Sequence, residues 1–198
     1  MSYWMTATGK RIDVENISEQ DVCLEDIGKH LTKICRFGGS LPFGTHYSVA
    51  NHSIRMAHRA RECGAGIEIQ KALLLHDAAE AYIGDVVSAL KPHLVNYKAI
   101  EEGIEEVIRN KYKVSNAYKV VVNTFDKRIL LAEAAYFFPR RYKDFLDQST
   151  VKSPLCVPIC ADKSLDDTYN LFRWWCKRLG ISDEYKSKQT MRASHLYV

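Results

Sequence analysis

Apolar residues recur along this chain at three- and four-residue steps in six separate stretches, which predicts a protein built of helices. Val22, Leu24, Ile27, Leu31 and Ile34 mark the first, which begins near Asp21, with Ser18 or Asp21 as candidate caps, and stops at Gly38-Gly39. The second runs from about His46 to Cys63 and ends at Gly64-Ala65-Gly66. A third, about Glu68 to Ala81, turns Ile69, Ala72, Leu73 and Leu75 to one side. The fourth, about Tyr97 to Tyr112, sets Ile100, Ile104, Val107 and Ile108 against a solvent face of Glu101, Glu102, Glu105 and Glu106. The fifth spans about Asn116 to Phe138, shows Val120, Val121, Phe125, Ile129, Ala132 and Ala135, and is closed by Pro139. Ser164 caps the last, Leu165 to Leu179, and Gly180 ends it. Ahead of the helices, residues 3–14 place β-branched and aromatic residues on either side of Thr8-Gly9-Lys10, the pattern of a short hairpin. Residues 139–163 are polar and proline-containing and read as loop. The basic tail, 181–198, reads as frayed or laid against another subunit. Without an internal repeat or a separating linker, residues 1–198 read as one domain.

Polar residues that interrupt the apolar faces carry the candidate chemistry. His76, Asp77, Glu80 and Asp85 fall within ten residues at the end of the third apolar run. At about 100° per residue, His76 and Asp77 splay across the edge of the buried stripe, and Glu80 follows His76 by one turn on the same face. Burying so many ionisable groups is costly unless a cation holds them. An isolated His-Asp pair is more often a solvated helix end, so the case for a site comes from the rest of the chain. Asp126, beside Phe125 in an apolar helix, needs a partner. His46, His52 and His58 are spaced by six on the second helix, about 600° apart, so at most one of them faces such a site. His46 and His58 read as exposed or locally bonded, and mid-helix His52 taken alone as a satisfied core histidine. Arg36 before the glycine pair can grip a phosphate or cover a helix C-terminus, and Phe37 can stack on a base or plug the core. Lys91 is a further phosphate candidate. Trp174 and Trp175 read as packing residues.

Composition narrows the classes. An apolar fraction of 46% and a charged fraction of 26% over 198 residues fit a soluble globular protein with a sizeable core. No run approaches the length of a membrane span, and Met1–Thr6 lacks the layout of a signal peptide. Cys23, Cys35, Cys63, Cys156, Cys160 and Cys176 form no C-x-x-C pair and read as reduced thiols. A net charge of +4 suits an anionic small molecule and is far from a nucleic-acid footprint.

One histidine of the second helix, His76-Asp77 of the third and Asp126 of the fifth would together make a mixed nitrogen and oxygen shell for a divalent metal, with positions left open for water and substrate. Arg36-Phe37, Asn51-His52-Ser53, His76-Asp77-Ala78-Ala79-Glu80, Gly84-Asp85 and Asp126, in that order between Cys35 and Phe138, resemble the HD-domain phosphohydrolase superfamily. Within it they are closest to the YfbR-like 5′-deoxynucleotidases and the phage DatZ-type dATP triphosphohydrolases. The resemblance implies an all-α HD-domain bundle of about six helices and one divalent metal per subunit: zinc, cobalt, manganese, iron, nickel or magnesium. It implies that His52, His76, Asp77 and Asp126 hold the metal. Glu80 would orient or deprotonate the attacking water or pass its proton on, and Asp85 would join that relay or bind the sugar. Arg36 would grip phosphate and Phe37 stack on the base, although relatives often carry tryptophan there. The implied partners are a deoxynucleotide substrate and further copies of the chain, in the cytoplasm of a bacterium or a phage-infected cell, with no nucleic acid and no membrane. Arg36 and Lys91 as the phosphate partners favour a monophosphate; a triphosphate would draw on Arg140-Arg141-Tyr142-Lys143. Hydrolysis of a cyclic nucleotide or a guanosine alarmone would use the same ligands. A non-catalytic nucleotide- or metal-binding module differs in predicting that Glu80→Ala changes nothing.

Overall fold

A computed structural model describes residues 3–159, 161 and 163–183. The chain opens on an antiparallel hairpin, β1 (Trp4–Met5) and β2 (Arg11–Ile12), with Trp4 opposite Ile12 and Gly9 in the turn at φ 80°. So short a ribbon has no stability of its own. It is held by Trp4, whose indole Nε1–H donates to the Tyr82 carbonyl at 2.9 Å and whose ring stacks on His30 with centroids 4.9 Å apart.

Eight helices follow among the described residues: α1 (Leu24–Lys33), α2 (Val49–Glu62), α3 (Ile67–Leu74), α4 (Glu80–Ile83), α5 (Tyr97–Tyr112), α6 (Lys119–Phe137), α7 (Tyr142–Gln148) and α8 (Leu165–Arg178). The all-α architecture with its hairpin is the one expected. Two helices were not expected. The third predicted helix is broken into α3 and α4, and α7 lies in a stretch expected to be loop.

Helix ends differ from the pattern where side chains intervene. Ser18 donates to Asp21 at 2.6 Å instead of capping α1, and the exposed Leu24 amide donates to the Asp183 carboxylate. Ile181 is buried and Tyr112 donates to Asp183 at 2.8 Å, so the first residues of the expected tail turn back onto their own helices; residues 184–198 lie outside the described residues. α1 stops at Lys33 because Ile34 is extended and Cys35 pairs antiparallel with Ser48. A 3-10 turn, Arg36–Gly39, follows. α2 starts at Ser48, not His46, because Ser48 and Asn51 form a reciprocal capping box.

α2 is the axis of the fold. Its residues Val49, Ala50, Ile54 and Ala57 join the largest core cluster with Ile27, Leu31, Ile104, Phe172 and Trp175. On another side Met56 and Ala60 meet Leu73, Ile129 and Leu155. Burying five or six such side chains stabilises the fold by roughly 10 kcal/mol before entropy is charged. α8 lies so close to α1 that a Cβ on Gly28 would sit 2.9 Å from the Tyr169 ring. Trp175 is buried as expected, while Trp174 is about half exposed and packs edge-on against it. None of these helices is long and apolar enough to cross a membrane.

Candidate metal centre

His52 sits one turn into α2 and is fully buried on the side facing α6. Its Nδ1 lies 2.7 Å from Glu133 Oε1. His76 lies in the break between α3 and α4, where Ala78, Glu80, Ala81 and Tyr82 donate their amides three residues back instead of four. The His76 Nδ1 bonds the Leu73 carbonyl at 2.9 Å. Each Nδ1 is thus occupied, and each Nε2 is left pointing at a carboxylate. His52 Nε2 is 3.1 Å from Asp126 Oδ1, and His76 Nε2 is 2.9 Å from Asp77 Oδ2. Neither contact has hydrogen-bond alignment, and both nitrogens are buried without a hydrogen-bond partner. One ligand atom each from His52, His76 and Asp126 lies within 4.8 Å of the other two. Two unpartnered imidazole nitrogens and a carboxylate around one point fit a divalent transition metal, and these three residues could hold one.

Charge is crowded here. Against the pull of burial, His76, His52 and Arg36 hold the Asp77 carboxyl well below the usual range. Burial and the Arg36 charge oppose a positive His52, but Glu133 and Asp126 outweigh them and push it up to about 9. Glu80 moves the other way: burial first, then Asp77 and Asp85, push it up to about 10, and its Oε2 has no partner. Burial also raises Asp85.

The expected residues converge, with differences. Asp77 Oδ2 is 3.9 Å from His52 Nε2 and 3.8 Å from the Arg36 guanidinium. Arg36 does not cover a helix end. It lies between Asp77 and Glu133, 3.3 Å from the latter, with Nε buried and unpartnered. Phe37 adopts a left-handed backbone at φ 57° and ψ 29°, unusual for a bulky residue. Its ring packs edge-on against Phe138, Phe145 and Phe137. Lys91 is ion-paired to Glu101 at 2.8 Å. Arg36, Phe37, Asp77, Glu80, Asp85, Lys91 and Asp126 all line one cleft of about 790 Å³, together with Lys127, Phe138 and Phe145. A smaller cleft of about 250 Å³ shares His76, Asp77 and Asp126 and carries Lys98, Arg109 and Lys119. His58 is exposed and lies by Glu62, local as expected, whereas His46 is neither exposed nor locally bonded: half-buried, it meets the Thr32 carbonyl on α1 at 2.9 Å. The break corrects the expected register of Glu80, which does not follow His76 along a continuous helix.

Two residues escaped the pattern reading. Glu133 is fully buried, accepts from His52 and Arg36, and accepts the Tyr47 hydroxyl at 2.8 Å. Against burial, His52 and Arg36 hold its carboxyl below the usual range. A signal existed, because Glu133 follows Asp126 by two turns on the same face, between the apolar runs Ile129-Leu130-Leu131-Ala132 and Ala134-Ala135.

The sequence profile of the HD domain matches residues 49–135, from the start of α2 to near the end of α6. That span includes His52, His76, Asp77, Asp126 and Glu133 and omits Arg36 and Phe37. The chain is 35% identical to the uncharacterized protein YfdR of Escherichia coli (strain K12) over 133 residues, 67% of this chain and 71% of that protein. It is 33% identical over 86 residues to the uncharacterized protein RCAP_rcc00048 of Rhodobacter capsulatus, 42% of this chain and 44% of that one.

Proposed function

This chain belongs to the HD-domain family of metal-dependent hydrolases, and from that premise we propose that it hydrolyses the 5′-phosphate of deoxynucleoside monophosphates. One observation carries the proposal: the cluster that can hold a cation opens, through Asp77 and Asp126, into a cleft with cationic and aromatic side chains. A phosphate needs the first and a nucleobase the second.

A divalent cation supplies, when bound, charge to offset the phosphoryl oxygens and acidity to a water. His52, His76 and Asp126 would hold it, with Asp77 as fourth ligand. The chain's own side chains would do the rest. Arg36, held by Glu133 through one guanidinium nitrogen, turns the other toward the phosphate and opposes the charge that develops in transfer. Glu80 Oε2, buried and unpartnered, takes the proton of the attacking water and returns it to the leaving 5′-oxygen, with Asp85 beside it in the relay. Burial, then Asp77 and Asp85, favour the protonated form of Glu80, and a cation among the carboxylates would offset the charge of the two aspartates. Phe37, backed by Phe138 and Phe145, offers a face for the base. Lys91 reaches the phosphate after exchanging its bond to Glu101. Arg140, Arg141 and Lys143, the cations a triphosphate would need, are exposed and absent from the cleft lining, and Arg141 pairs with Asp144. This supports the monophosphate.

The test is a panel of ribo- and deoxynucleoside mono-, di- and triphosphates with manganese, cobalt, zinc or magnesium, with products identified. Inorganic phosphate released from a deoxynucleoside monophosphate is expected. Release of tripolyphosphate would transfer the function to a triphosphohydrolase, and an intact panel with folded, metal-loaded protein would remove it.

A further inference from the structure

Glu133 lies behind the metal cluster, out of contact with its open side, and touches three groups of different duty. His52 Nδ1, 2.7 Å away, and the Tyr47 hydroxyl, 2.8 Å away, converge on Oε1, while an Arg36 guanidinium nitrogen lies 3.3 Å from Oε2. A carboxylate is acceptor only. Three donors meeting on it fix where each proton points. When His52 is neutral its one proton sits on Nδ1, facing Glu133, and the Nε2 lone pair is left for a cation. One guanidinium nitrogen of Arg36 is tied inward, and the other lies 3.8 Å from Asp77 in a side chain that lines the cleft. The phenol of Tyr47, itself fully buried, keeps the carboxylate from rotating.

We infer that Glu133 is a positioning residue that sets, through one carboxylate, both the tautomer and orientation of His52 and the pose of Arg36. The inference rests on the metal-centre reading above and goes beyond it by joining the cation site to the phosphate site. A glutamine of the same shape has one acceptor oxygen and one NH2. It cannot accept from His52, Tyr47 and Arg36 together, and its NH2 must face at least one donor.

The experiment is calorimetric titration of Mn2+ into chelator-stripped wild type, Glu133→Gln and Tyr47→Phe, with the Mn2+-dependent rise in melting temperature read in parallel. Glu133→Gln is expected to weaken Mn2+ binding by about 10- to 100-fold, the range for groups that orient metal ligands, and to shrink the Mn2+-dependent rise. Tyr47→Phe, which keeps the ring, is expected to weaken it by about 2- to 10-fold, the equivalent of one hydrogen bond. A purely structural Glu133 would lower the metal-free melting temperature and leave Mn2+ affinity alone, and that result overturns the inference. If Glu133→Gln does not fold, Tyr47→Phe decides, and unchanged Mn2+ affinity there overturns it. Wild type that binds Mn2+ while both variants match it sinks this inference alone. Wild type that binds none sinks the metal centre and the inference with it.

Discussion

Two places in this molecule bury acidic side chains, and they are satisfied in different ways. Asp26 in α1 is fully buried, and the protein supplies its donors: the Thr8 amide at 2.8 Å, the Thr8 hydroxyl at 2.7 Å and the Cys23 thiol at 3.1 Å. Against burial, those bonds hold its carboxyl below the usual range, and they tie the hairpin to the helix. At the metal centre, buried Glu80 has no donor for its Oε2, and it stands with half-buried Asp77 and Asp126 beside two imidazoles whose Nε2 atoms have no partner. Burial costs an acid little when donors meet it and much when they do not. The first arrangement is complete as it stands. The second is complete only with something added.

Substitutions can break that contrast. The largest effect is expected for Asp126→Ala, which removes a ligand the cation cannot replace. Mn2+ binding measured by calorimetry should be lost, and turnover should fall by about a thousandfold, the equivalent of several kcal/mol of metal assistance. Next is Glu80→Gln. Burial, then Asp77 and Asp85, shift Glu80 toward its protonated form, which glutamine imitates, so the melting temperature without metal should hardly move. Turnover should drop by about a hundredfold or more with Mn2+ still bound. Unchanged turnover would make the site a binding module.

Asp26→Asn should do the reverse. It should cost about 2 kcal/mol in denaturant unfolding, because an amide cannot accept from all three donors. The activity of each folded molecule should be unaltered. The smallest effect is one of pH. The folded Asp26 titrates below its unfolded counterpart, so its contribution is complete above the unfolded carboxylate range, near pH 4, and is lost as pH falls through the folded value. Wild-type stability should decline more steeply below about pH 4 than that of Asp26→Asn, followed by urea unfolding at successive pH values.

How much of this was legible follows from where the local rules act alone. α5 runs from Tyr97 to Tyr112 as its apolar period predicts, and Ser164 caps α8 as its residue type predicts. The break after Leu75 was not legible, because Leu-His-Asp-Ala-Ala-Glu-Ala contains no glycine or proline. The tighter turns accompany the His76 bond to the Leu73 carbonyl, which only the fold reveals. α7 is too short to show a period, and the prolines around it argued for loop. His52 could be chosen over His46 and His58 only by resemblance, since six-residue spacing says that they diverge and not which one faces α6. Glu133 was legible by the rule that singled out Asp126, a lone acid in an apolar helix. Tyr47 was not, because nothing in Gly44-Thr45-His46-Tyr47 marks a hydroxyl that will meet a carboxylate 86 residues on.

The most direct test is a crystal structure of the protein grown with Mn2+, with the ion located by anomalous scattering. One ion is expected, bonded to His52 Nε2, His76 Nε2 and an Asp126 oxygen, beside Asp77 and next to the cleft that Phe37 lines. An ion bound elsewhere, or Asp126 turned away from both imidazoles with the cluster empty at saturating Mn2+, would contradict that expectation.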